Sequence, residues 1–240
     1  MTWVLILAVG LAAGTLGGIV GFGSSIILMP VLVLTVGPKE TVPLMAIAGL
    51  MANLSRVAVW WRVVDWAAAA AFSATAVPAA ALGARTLIAL DPRVVEATLG
   101  GFFLLMIPIR RWLLARGLRI GLWHLALVGA GIGFMSGIVA TIGPVNTPFF
   151  LAYGLVKGAY LSTEALGSAA MGISKAVVFR TFGAMPLETL LHGLIIGASL
   201  TAGSWLAKRF VMRMDSYQFR HVMDALLAIS GLVMLCSALT

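Results

Sequence analysis

GTLGGIVGFGSSIILMP, from Gly14 to Pro30, and GFMSGIVATIGPVNTP, from Gly133 to Pro148, are two versions of one glycine-rich motif that leads to a proline. Both lie inside apolar sequence. With no water in a bilayer core, unpaired backbone N–H and C=O groups are costly, so irregular backbone is tolerated there only where it is buried in protein or lines a cavity. Two such breaks at matching places in two halves of a membrane chain point to a transport site.

The register extends beyond the motif. Gly14 pairs with Gly133 at an offset of 119 residues (133 − 14), and the same offset pairs Gly18-Ile19-Val20 with Gly137-Ile138-Val139. Further on it pairs Ser55-Arg56-Val57-Ala58-Val59-Trp60 with Ser174-Lys175-Ala176-Val177-Val178-Phe179, which read small, basic, apolar, apolar, apolar, aromatic in both copies. Gly83-Ala84 resembles Gly203-Ser204 at an offset of 120 (203 − 83). A near-constant offset marks an internal duplication, with halves at 1–117 and 118–240.

Hydrophobic residues make up 61 % of the chain and charged residues 10 %, and the mean hydropathy is +1.08. A soluble domain is about half apolar and about a quarter charged, so the composition predicts an all-α polytopic membrane protein. The Met1–Leu16 stretch lacks a basic start and flows into the first motif, unlike a cleavable signal. The net charge is +8. Its basic residues fall mostly in short loops, which reads as membrane topology rather than nucleic-acid binding. One cysteine, Cys236, and three histidines give no disulfide, redox pair or metal spacing, so neither a cofactor nor a metal is expected. Nor does the chain show a nucleophile–base pairing, which argues against an enzyme.

A helical span needs about 20 apolar residues. Candidates lie at 3–22, 41–62, 66–89, 94–115, 121–140, 160–183, 187–208 and 218–238, and shorter apolar pieces at 24–36 and 144–156 follow the two motifs. If the short pieces cross, each half has five spans and the halves are inverted (5+5). If they are re-entrant, each half has four spans and the halves are parallel (4+4). Arg110, Arg111, Arg116 and Arg119 in the central linker and Lys208, Arg209, Arg213 and Arg220 near the end fall on one side only in the first case. The positive-inside rule therefore favours inverted halves, with the linker cytoplasmic and both termini periplasmic.

The motif residues come first as site candidates. Gly23, Ser24 and Ser25 in one copy and Thr141, Gly143, Asn146 and Thr147 in the other offer backbone N–H groups and side-chain donors at helix starts, where anions bind readily. The bland alternative is close helix packing of small residues. Lys175 and its counterpart Arg56 come next. A charge at membrane depth marks function by default, and neither has an acidic neighbour at i±3 or i±4. Asn53, one turn before Arg56, is a polar lining candidate. Glu164 and Glu188 read as interfacial, so the deep charges are positive and favour an anionic substrate. Snorkelling is the alternative for Arg56.

The spacing G-x-x-x-G-x-x-G-x-G-[GS]-[GS]-x-x-x-x-P, in two copies half a chain apart, resembles the TauE/SafE (sulfite exporter, TSUP) family of membrane transporters. Gly14, Gly18, Gly21-Phe22-Gly23-Ser24-Ser25 and Pro30 carry the match. The second copy departs from it with Ala140 and one residue fewer before Pro148. The resemblance covers essentially the whole chain. It implies a secondary transporter that moves a small sulfur-containing anion, sulfite or an organosulfonate, across the bacterial inner membrane by alternating access, in the direction of export. A coupled proton or sodium ion is a further expected partner, and the protein would be a monomer or homodimer. An anion channel or a carrier of small carboxylates would use the same parts.

Overall fold

The computed structural model describes residues 2–20, 23–117, 119–139, 143–155 and 157–210, and these fold into helices and short connections. In chain order the helices are α1 (Thr2–Val20), α2 (Gly23–Val36), α3 (Pro38–Trp60), α4 (Trp66–Ala89), α5 (Pro92–Ala115), α6 (Leu122–Ile138), α7 (Gly143–Tyr153), α8 (Lys157–Thr181) and α9 (Leu187–Phe210), with one 3-10 turn at Trp61–Val63. Among the described residues there is no strand. The all-α membrane fold is thus as expected. The segments at 66–89 and 187–208 reappear with the same first residues. The span expected at 218–238 and the site candidate Thr141 lie outside the described residues.

Local chemistry sets the boundaries. Asp65 caps α4, its Oδ1 accepting from the Ala68 amide at 2.9 Å, which satisfies one of the orphan donors of a helix start. Each short helix after a motif stops at a glycine in the left-handed region: Gly37, with φ 90, after α2, and Gly154, with φ 109, after α7. At the second stop Gly154 N donates to Leu151 O at 3.0 Å and Leu155 N to Phe150 O at 3.1 Å, a Schellman closure that needs a residue without a Cβ.

Lys39–Val63, Trp66–Ala89 and Leu187–Leu206 are long and apolar enough to cross a bilayer. Helices α5 and α8 are as long, with 24 and 25 residues, but carry charges. In α8 two of these, Glu164 and Lys175, are buried inside the bundle.

Helix directions follow from side-chain pairings. Ser199 Oγ donates to Leu7 O at 3.3 Å and Ser204 Oγ to Gly14 O at 3.1 Å, so α1 and α9 run the same way. Met51 meets Gly197 and Trp205 Nε1 donates to Ser55 Oγ at 3.1 Å, so α3 runs with them. The opposite set is α4, α6 and α8. Thr75 Oγ1 bonds Ala126 O, and Gly137 meets Ala84. Asp65 N donates to Thr163 Oγ1 and Ser174 Oγ to Val77 O, each at 2.9 Å. Trp60 against Gly158 and Ala46 against Gly172 set α3 antiparallel to α8. The two motif-bearing helices, α1 and α6, therefore run in opposite directions.

The crossings are made by backbone contact. A Cβ at Gly14 would fall on the Leu200 carbonyl, one at Gly133 on the Ala76 carbonyl, one at Gly83 on the Phe134 carbonyl and one at Gly203 on the Leu11 carbonyl. Helices in lipid associate through such small-residue contacts because no hydrophobic force drives them together. For Gly14, Gly133 and Gly137 the packing reading of the motifs is the one that holds.

The short helices correct the expectation that their crossing decides the topology. Each returns to the end from which its predecessor came: α2 ends at Gly37, where α3 begins alongside α9, and Ala152 of α7 accepts from Ile120 N, before α6, at 3.2 Å. With 14 and 11 residues they rise only about 21 and about 16 Å at 1.5 Å per residue, less than a hydrocarbon core of about 30 Å. An out-and-back pair adds an even number to the span count whether or not its tip emerges. Between that pair and α6 stand α3, α4 and α5, an odd number of crossings, so α6 runs opposite to α1 whether or not α2 is re-entrant.

Candidate functional site

Six residues expected at the site line one interior cavity of about 50 Å³: Ser24, Ser25, Asn53, Arg56, Gly143 and Lys175. Ser24 and Ser25 stand in the first turn of α2, which opens at Gly23, and Gly143 opens α7. Two helix N-termini with their unsatisfied amides thus meet the same space, and the positive ends of their dipoles add there. A water needs roughly 10–15 Å³ measured this way. The cavity therefore has room for a few water-sized groups.

The remaining candidates are placed differently. Asn146 is fully buried, and its Nδ2 donates to Glu164 Oε1 at 3.3 Å. It buttresses the wall rather than lining the cavity. Thr147 points elsewhere: its Oγ1 donates to Gly143 O at 2.8 Å and shares a 2.6 Å hydrogen bond with the Tyr160 hydroxyl. That hydroxyl is occupied in holding the first turn of α7 against α8.

The two basic residues are buried, Arg56 at 8 % and Lys175 at 4 % exposure, so neither snorkels to the surface. Lys175 Nζ donates to Ser136 O and Ser136 Oγ, both at 3.0 Å, which ties α8 to the last turn of α6. Arg56 Nη2 bonds Asn53 Oδ1, one turn earlier on α3. Its Nη1 lies 3.3 Å from Glu164 Oε2 in an ion pair between α3 and α8.

That pair overturns the placement of Glu164 at the interface. The carboxylate is 2 % exposed, lines the cavity and also accepts from Ser168 Oγ at 2.7 Å. The absence of deep carboxylates does not hold, and Arg56 has an internal counter-charge. The missed signal was helical. Glu164, Ser168, Met171 and Lys175 follow one another at spacings of four, three and four, so all lie on one face of α8. Glu164 stands three turns from Lys175, about 16 Å along the axis and beyond the i±3 and i±4 positions.

At the offset of 119 residues, α3 and α8 present different residues to the cavity. Met45 of α3 corresponds to Glu164 of α8 (164 − 45 = 119), Gly49 to Ser168 and Asn53 to Gly172. All six line the cavity. Helices α3 and α8 each contribute one cation, but the acid and its serine come from α8 alone. No group of three or more His, Cys, Asp or Glu suited to a metal occurs among the described residues.

A helical bundle with broken helices meeting at a charged cavity is the architecture of a polytopic membrane protein of the transporter class. The chain belongs to the sulfite exporter TauE/SafE family, whose profile matches residues 6–234. Membership in that family points to a membrane transporter or exporter of the sulfur-compound class. Comparison with curated proteins and with solved structures finds no significant match.

Proposed function

We propose that the protein carries a small sulfur oxyanion of sulfite size across the bacterial inner membrane by alternating access of two inverted halves around this cavity. The observation that carries the reading is the pair of buried cations, Arg56 and Lys175, at equivalent positions of the two halves and on the wall of one cavity. The amide ends of α2 and α7 add donors aimed at the same space. Opposed directions of α1 and α6 support inversion, and with it a division near residue 117. Rocking of one half against the other would open the site to each side in turn.

Charge at the two ends of the bundle supports the orientation. Arg62, Arg110, Arg111, Arg116, Arg119, Lys157, Lys208 and Arg209, against Asp65, belong to the end where α3 finishes. At the other end Lys39, Arg85, Arg93 and Arg180 are offset by Glu40, Asp91, Glu96 and Glu188. The positive-inside rule makes the first end cytoplasmic. Outward movement then takes the anion from the strongly basic side, where it is concentrated at the surface, and export is the direction proposed.

Thermal unfolding in detergent with added anions tests the binding claim. A ligand that binds the folded state at 100 times its Kd stabilises it by about 2.7 kcal/mol. Sulfite and thiosulfate should raise the midpoint, and acetate and lactate at equal ionic strength should not. Stabilisation by the carboxylates alone would overturn the assignment.

A further inference from the structure

Three charged side chains share the cavity, Arg56 from α3 and Glu164 and Lys175 from α8. With Glu164 ionised they sum to +1, and with Glu164 neutral to +2. Buried charge is tolerated when it is compensated. A monoanion compensates the first state, and a dianion compensates only the second.

We propose that Glu164 is the proton-carrying group of the transport site, so that a dianion is bound together with one proton and a monoanion without one. The inference rests on the anion reading above and adds the coupling to it. In the ionised state the carboxylate stands in for substrate at Arg56. On protonation it releases Arg56, which keeps Asn53 Oδ1 as an acceptor and turns its remaining donors to the anion. The proton comes from water on the side to which the cavity is open, and it travels with the dianion.

The surroundings of Glu164 suit both charge states. Ionised, its Oε1 accepts from Ser168 Oγ and Asn146 Nδ2, and its Oε2 from Arg56 Nη1. A protonated carboxyl must instead donate one hydrogen bond. Asn146 Oδ1 is buried and has no hydrogen-bond partner among the described residues. Half a turn of that amide brings an acceptor to where Nδ2 now donates. The Ser168 hydroxyl can also rotate between donating and accepting. The charged and titratable groups facing Glu164 are Arg56 from α3 and, on α8 itself, Tyr160 and Lys175. The Tyr160 hydroxyl is engaged with Thr147, while α7 and α6 present the neutral Asn146 and Ser136.

The test uses anions whose own charge is fixed: thiosulfate as dianion and methanesulfonate as monoanion, titrated into the purified full-length protein between about pH 5 and about pH 8. Thiosulfate affinity in the wild type should fall by up to about tenfold per pH unit, the slope of one proton taken up on binding. Methanesulfonate affinity should stay flat. In Glu164→Gln the thiosulfate slope should vanish while binding persists. Proton uptake in weak buffer, measured on the wild type, needs no variant and should approach one proton per thiosulfate and none per methanesulfonate. Equal slopes for the two anions, equal proton uptake, or an unchanged thiosulfate slope in Glu164→Gln would overturn the proton role alone. Failure of either anion to bind wild type at any pH would overturn the anion site itself, and this inference with it.

Discussion

Replacing Arg56 by Gln removes the cation beside a carboxylate that is only 2 % exposed. Two unit charges 3.3 Å apart attract by about 5 kcal/mol at an effective dielectric of about 20. Much of that attraction offsets the cost of taking both groups out of water, so the net value of the pair is smaller. Breaking it from one side is a different matter, because the surviving charge stays buried, and typically costs about 3–5 kcal/mol. Arg56→Gln should therefore lose roughly that amount. Glu164→Gln should lose less, since Arg56 keeps Asn53 and its side chain is 10 % exposed. The double variant Arg56→Gln/Glu164→Gln places two neutral amides within hydrogen-bonding reach and should recover at least half of the summed losses, an interaction energy of about 2–3 kcal/mol. Reversible unfolding in detergent, followed by tryptophan fluorescence across the four proteins, gives the cycle. Additive losses, with a coupling under about 0.5 kcal/mol, would refute a buried ion pair between α3 and α8.

Two glycines on α6 should respond with opposite sign: Gly131→Ala meets open space and should gain up to about 1 kcal/mol from helix propensity, whereas Gly133→Ala drives a methyl into the Ala76 carbonyl of α4 and should lose about 1–3 kcal/mol, both read by thermal midpoint. Gly49 has nothing within 4 Å of a Cβ and lines the cavity, so Gly49→Val should leave the midpoint within about 1 kcal/mol of wild type (the β-branch costs under that in a helix) while abolishing the sulfite-induced shift. Asp65→Ala removes the α4 cap and should cost about 1 kcal/mol with no change in anion response. In a Cys236→Ser background, single cysteines at Gly117 and Gly183 should react with a membrane-impermeant thiol reagent from opposite sides of the membrane.

Much of the helical layout was legible because it rests on local signals. The apolar runs fixed the boundaries of the described helices to within three residues. That Arg56 and Lys175 share a cavity was legible through the repeat offset, that Ser24, Ser25 and Gly143 line it through the glycine motifs, and that Asn53 does through its place one turn before Arg56. What stayed hidden depends on tertiary pairing. Nothing local tells that α1 crosses α9 while α6 crosses α4, so the glycines that make those contacts could not be separated from those at the cavity. Glu164 sits in the second turn of α8, a position that reads as interfacial when the helix is taken alone. It becomes interior because α3 runs antiparallel and delivers Arg56 to its level. Thr147 was misjudged for the same reason, since its partner Tyr160 lies on another helix.

Sulfite flux in proteoliposomes, compared between wild type and Lys175→Gln reconstituted at equal density, bears most directly on the claim that the cavity is the transport site. Lys175 is buried against Ser136, and glutamine retains donors for those bonds while removing the charge. Saturable sulfite flux in the wild type that drops at least about tenfold in the variant, a loss of about 1.4 kcal/mol in transition-state stabilisation, is the predicted result. Flux at the wild-type rate in a variant with an unchanged thermal midpoint would contradict it.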